Sequence, residues 1–258
     1  MSILTIIEKL LKLKSIPTEE GNLLEVFNAS RHKFKFNAPL SEEELRAYEK
    51  QYDLTIPKAY REFLITIGDG GMGPFYGLLP LRDNEDCTDD DALSNEFRLT
   101  RDTPINILEA YNKQTERAAA LREAGKDDEI EASWAEYRAA EEALLEKADA
   151  MKYLCTEGCG MYSVLIMKGE EAGNVWYHDF ANDCGLFALV NLETGKSLDF
   201  FDWYNVWLDS LLEDFDGEEH KCEDCNDCGE CDDEDYMFSG GLDGYIDFIW
   251  LPEDSAQS

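Results

Sequence analysis

The chain is short of positive charge. Lysine and arginine number 23 against 57 aspartates and glutamates, a formal net charge of −34 over 258 residues. A surface of that sign repels nucleic-acid phosphates and anionic lipid headgroups, and attracts basic proteins and cations. Histidine is scarce too: His32, His178 and His220 stand in three unrelated contexts. No run approaches the ~18 apolar residues of a membrane span. The opening stretch MSILTIIEKLLKLKSI carries charges inside its apolar part, and no small-residue cleavage site follows it. These absences predict a cytoplasmic chain that binds neither nucleic acid nor membrane. The sequence also has no G-x-S-x-G elbow, no P-loop, no dinucleotide fingerprint and no H-E-x-x-H. No catalytic residue is assigned, and the expectation is that the protein is not an enzyme.

What is present suffices for a sizeable core, with 44% hydrophobic and 12% aromatic residues. Ile3, Ile6, Ile7, Leu10 and Leu13 recur at helical spacing. The stretch from residue 41 to 82 is the most ordered pattern. Ser41 and Glu44 have the spacing of a capping box, in which hydroxyl and carboxylate satisfy two orphan N–H groups. Leu45, Tyr48 and Tyr52 then share one helical face. Ile56-Pro57 leads into a second helix, with Tyr60, Phe63, Leu64 and Ile67 as its buried stripe. Gly68-Asp69-Gly70-Gly71 stops it, because glycine takes the left-handed conformation without a Cβ clash.

These residues carry a resemblance. Glu49 on the first helix, the Ile56-Pro57 step, Tyr60 with Phe63-Leu64, and Asp69-Gly70-Gly71 resemble the SUKH superfamily, the Syd-like and Smi/Knr-like proteins. A second block agrees. CGMYSVLIMKGEEAGNVWYHDF resembles the family's paired core strands. FFDWYNVWLDSLL resembles its closing helix, with Trp203, Trp207 and Leu208 in place. The resemblance implies an α+β domain with a central, mostly antiparallel sheet flanked by helices. It also implies a protein-binding role. Bacterial members are frequently immunity proteins against secreted toxins, often nucleases, while fungal members are regulators or scaffolds of cell-wall synthesis.

The rest of the chain reads as one domain, 1–258, with additions. Phe34 and Phe36 alternate with Lys33 and Lys35 as in an edge strand. Residues 83–91 form an acidic loop that lacks the glycine and frame of a calcium-binding loop. Residues 104–152, rich in Ala, Glu and Leu, predict a helical hairpin insertion opened by Pro104 and broken at Gly125-Lys126-Asp127. Its second helix carries Ile130, Trp134, Tyr137, Leu144, Leu145 and Met151, and is expected to dock through Trp134 and Tyr137. Met161–Met167 is a continuous apolar run, suited to a strand buried on both faces. Strands at 174–180 and 187–191 follow it. Cys155 and Cys159 are expected as packed thiols, and His178 as a surface or capped residue. A last apolar run, 245–250, packs back on the domain as a strand or helix.

Residues 213–235 are an acidic insertion holding Cys222-x-x-Cys225-x-x-Cys228-x-x-Cys231. Four thiols at this spacing can wrap one tetrahedral zinc. Neighbouring carboxylates raise thiol pKa values and oppose that, so structural zinc and a metal-free loop both stand, and no cofactor is otherwise expected. The expected partner is a cognate toxin or another basic protein. Its expected contacts are Asp83, Glu85, Asp86, Asp89, Asp90 and Asp91.

Overall fold

The computed structural model describes residues 1–15, 32–83, 90–192, 194–216 and 246–248. The helices are α1 (Ile3–Ser15), α2 (Glu42–Tyr52), α3 (Lys58–Thr66), α4 (Ile107–Glu123), α5 (Asp127–Leu145) and α6 (Phe200–Asp216). The strands are β1 (Ile105–Asn106), β2 (Met151–Gly158), β3 (Met161–Ile166), β4 (Val175–Asp179), β5 (Gly185–Asn191) and β6 (Ile246–Phe248). The pairings between these strands are all antiparallel, in the order β1-β5-β4-β3-β2, and β6 also pairs with β5. This is an α+β fold.

The strands alternate between two cores. Val164 and Ile166 of β3, Trp176 of β4, and Leu186 and Ala188 of β5 join one cluster with Phe97, Leu99 and Ile105. Leu165, Val175 and Leu189 point the other way, into a larger cluster built with α1, α2, α3 and α6. The period of two along a strand accounts for the split. The apolar run in β3 is thus buried on both faces, as its composition predicts. In β2 the neighbours Leu154 and Cys155 both face the larger core. A register shift between Tyr153 and Cys155 permits it, since a bulge turns one extra residue over.

The capping box forms as read. Glu44 N–H donates to Ser41 Oγ at 3.3 Å, and Ser41 N–H donates to Glu44 Oε2 at 2.8 Å. Glu49 Oε1 accepts from Ile56 N–H at 3.1 Å and lies 3.5 Å from Arg61 Nε. One carboxylate thereby ties the end of α2 to the Ile56-Pro57 step and to α3. Arg61 also makes two parallel bonds to Glu42, at 2.8 and 2.7 Å. That guanidinium holds the Glu42 carboxyl below its ordinary range. Around Phe63 the rings of Phe36, Phe200 and Tyr204 pack at centroid distances of 5.9, 5.0 and 5.1 Å. Tyr60, Leu64, Trp203, Trp207 and Leu208 are buried with it.

The Asp69-Gly70-Gly71 turn has a specific cause. Gly71 has φ +103°, and a Cβ there would lie 2.4 Å from the Lys35 carbonyl. Phe36 bridges Gly71 on one side and Leu78 bridges it on the other, so three backbones meet where only hydrogen fits. Tyr204 of α6 closes the arrangement by donating to the Met72 carbonyl at 3.0 Å. The segment after the turn covers the outer edge of β2. Leu79 N–H donates to Leu154 O at 2.7 Å, and Tyr76 N–H to Thr156 O at 3.4 Å. A covered edge offers no template for pairing with a stray strand.

Several expectations are revised. Residues 147–152 are not helical: α5 ends at Leu145 and Met151 starts β2, whose Lys-Tyr-Leu-Cys-Thr run pairs with β3. Pro104 precedes the short strand β1, and Asn106 caps α4 by accepting from Glu109 N–H at 2.9 Å. Trp134 and Tyr137 pack on each other, and Trp134 on Tyr111 of α4, so that face closes the hairpin on itself. The hairpin joins the body at its base, where Ile107, Leu144 and Ala148 pack against the smaller core. Cys155 is buried as expected, but Cys159 is exposed in the β2–β3 turn. His178 is half-buried and capped rather than free on the surface. It is ringed by Tyr153, Tyr162 and Phe180, and its Nε2 lies 3.1 Å from Tyr153 Oη. The residues from Glu213 to Asp216, read as the start of the acidic insertion, continue α6.

Candidate protein-binding edge

The acidic stretch 83–91 leaves the body beside β2 and returns to it there. Its entry is fixed by three contacts. Leu81 N–H donates to Asp69 Oδ1 at 2.6 Å. Arg82 lies over the Tyr48 ring at 5.5 Å and donates to Gln51 Oε1 at 3.2 Å. Lys152 of β2, with 0% of its surface exposed, donates its ammonium to the Asp83 carbonyl. Burial pushes the Asp69 carboxyl up, and the bond from Leu81 and the nearby Lys152 charge offset that only in part.

The exit is fixed in the same way. Residues Asp90–Ser94 form one 3-10 turn. Ala150 N–H, just before β2, donates to Ala92 O at 3.0 Å, and Leu93 is 1% exposed. Lys168, two residues past β3, donates to Ser94 O at 3.1 Å and to Asp53 O, at the end of α2, at 2.9 Å. An ammonium has three donors and no acceptor. Lys168 therefore suits a place where two backbone carbonyls converge, and Lys152 meets a third at the entry. Strand β2 and the turn after β3 thus hold the two stems of the acidic segment through lysines that the sequence reading did not single out. The available signal was Lys152 itself, a charge inside the apolar strand MKYLC.

Of the expected contact residues, Asp83 sits at the entry stem, and Asp90 and Asp91 lie in the exit turn. Glu85, Asp86 and Asp89 lie outside the described residues, as do Cys222, Cys225, Cys228 and Cys231. Among the described residues, no group of three or more His, Cys, Asp or Glu side chains is placed to hold a metal ion. The family-type residues Glu49, Pro57, Tyr60, Phe63, Leu64, Gly70, Gly71, Trp203, Trp207 and Leu208 do not converge on this edge as ligands. They build the core and turns behind it. Among the described residues, no helix is long and apolar enough to cross a membrane.

The α+β fold is consistent with what comparison finds. No curated protein and no solved structure matches the chain. The profile of the SMI1 / KNR4 family (SUKH-1) matches residues 39–193, from just before the capping box to just past β5. That span is more than half of the sequence, and the chain belongs to the SMI1 / KNR4 family (SUKH-1).

Proposed function

We propose that this protein is a non-catalytic binding protein of the immunity type, which neutralises a basic toxin by stoichiometric contact. Membership of the family is consistent with that role. The observation that carries the reading is the acidic segment 83–91, held at both stems by Lys152 and Lys168 on a chain of net charge −34. A tethered acidic segment is costed in advance, since its ends lose little further freedom when a partner arrives. Nuclease toxins must hold phosphates, and so present cationic clefts. A negative surface accelerates their encounter by steering and fits the cleft where the phosphates go.

The test is co-expression with a basic toxin encoded beside this gene, scored by growth, followed by titration of the purified pair. Rescue with one-to-one binding that weakens as salt rises is expected. Replacing Asp83, Glu85, Asp86, Asp89, Asp90 and Asp91 by Asn or Gln is expected to slow association about tenfold or more and to flatten its salt dependence. Unchanged association at every salt concentration would remove this segment as the contact.

A further inference from the structure

Helix α1 leaves large apolar side chains in water beside its polar ones. Ile3, Ile6, Leu10 and Leu13 are buried, yet Leu4 and Leu11 are 65% and 60% exposed, with Ile7 half-buried between them. Ile7, Leu10, Leu11, Phe36 and Ile67 line a groove of about 300 Å³ between α1 and the end of α3, with Lys14 and Thr66 at its border.

The two segments that supply α1 and Phe36 to this groove are basic, unlike the chain as a whole. Residues 1–15 and 32–37 carry Lys9, Lys12, Lys14, Lys33 and Lys35 against Glu8 as their one acidic side chain. Lys9 is bound to Asp209 at 2.6 Å, while Lys14, Lys33 and Lys35 are exposed.

We infer that this groove is a second protein-binding surface, one that takes an amphipathic helical segment carrying acidic residues beside its apolar anchors. Three observations select that occupant. The groove is concave and apolar, which suits inserted side chains better than the flat face of a lipid bilayer. Leu4, Ile7 and Leu11 recur at three and four, the spacing by which one helix reads another. Lys14 at the groove's border, with Lys33 and Lys35 exposed on the segment that supplies Phe36, selects acidic flanks. Screening over about 8 Å at physiological salt makes this local patch, rather than the net charge, decide the sign of a docked segment. The surface is separate from the acidic edge and does not depend on the toxin reading.

The experiment titrates the intact chain with two fluorescent helical peptides that share leucine anchors at i, i+3, i+4 and i+7. One is flanked by glutamate and the other by lysine. The glutamate peptide is expected to bind about tenfold tighter or more, the reverse of what a chain of net charge −34 gives without a local site. Leu11→Asp is expected to weaken that binding about tenfold, and Lys14→Glu to narrow the preference between the peptides. Both side chains are exposed, so both variants are expected to melt like the parent. A preference for the lysine peptide overturns the inference, as does glutamate-peptide binding that neither variant alters. Absence of binding to the intact chain also overturns it, whether the groove is filled from within the chain or has no affinity. Retention on phosphatidylserine vesicles without peptide binding would assign the surface to lipid and overturn it too.

Discussion

The body and the α4–α5 arm use similar residues to different ends. In the body, α3 and α6 interlock through Tyr60, Phe63, Phe200, Tyr204 and Trp207, all nearly without exposed surface. In the arm, the buried positions are Gln114, Ala118 and Ser133. Gln114 Nε2 donates to Ser133 Oγ at 2.8 Å, and Ser133 passes a bond to Ile130 O at 2.8 Å. Arg117 and Glu136 pair across the outside at 2.9 Å. The arm's aromatic residues meet tilted and edge-on across a solvent-lapped seam: Tyr111 is 50% exposed. Aromatic content alone does not make a core. A core needs a second layer, and the sheet provides one for α3 and α6 but not for most of the arm. Each arm helix has only its neighbour, so propensity, capping and ion pairs of a few tenths of a kcal/mol each carry more of its stability.

The comparison breaks or sharpens under substitution. Phe63→Ala, among three other rings, is expected to cost about 3–5 kcal/mol, read as a large drop in the urea midpoint. Trp134→Ala in the arm is expected to cost less, about 1–2 kcal/mol, since its ring is only half-buried between Tyr111 and Tyr137. Equal losses would show the arm to be as tightly built as the body.

A glycine pair tests the same contrast at the backbone. Gly71→Ala meets both an unfavourable φ and the Lys35 carbonyl, and is expected to cost more than about 2 kcal/mol. Gly125 at the arm tip has φ +69° with nothing within 4 Å of its added Cβ. Gly125→Ala there is expected to cost about 1 kcal/mol from the backbone alone. Thermal melts of the two variants measure the gap, and a Gly71→Ala melt no lower than that of Gly125→Ala would contradict the three-backbone account of the turn.

The smallest effect is one of pH. His32 and His178 lie in the body, whereas the sequence of the arm, 107–145, has no histidine. Burial pushes both imidazoles below their ordinary value of 6.5. As pH falls through 6.5 the unfolded histidines take protons before the folded ones, so acid favours unfolding. Between pH 7 and 5.5 amide exchange is expected to quicken in β2, β3 and β4 around His178, after correction for intrinsic rates. In α4 and α5 it is expected to hold. His178→Gln is expected to reduce that slope; a slope unchanged in that variant would place its origin elsewhere.

Much of the body was legible because its signals are local. The capping box at Ser41 and Glu44, the Ile56-Pro57 step and the stripe through Phe63 each act within a few residues, and the glycines at 70 and 71 stand out by residue type alone, although the close approach to Gly71 comes from a distant segment. The structure realises them at the expected positions. The two-faced apolar run of β3 was legible for the same reason. The start of β2 was not, because Glu- and Ala-rich sequence runs almost to Met151, and only pairing with β3 draws the following residues into the sheet. The docking face assigned to Trp134 and Tyr137 was misread because helical periodicity tells which residues share a face. It does not tell what lies opposite.

The candidate edge divides along the same line. By itself the sequence determined the acidic character of residues 83–91, the excess of negative charge and the family pattern, since composition and short-range spacing carry all three. Only tertiary structure decided that Lys152 meets the carbonyl of Asp83, 69 residues away, and that Lys168 meets those of Ser94 and Asp53, 74 and 115 residues away. It also decided that Leu4 and Leu11 stay outside while their neighbours on α1 go in. The physical reason is that burial and carbonyl clamping depend on which distant segments the sheet brings together.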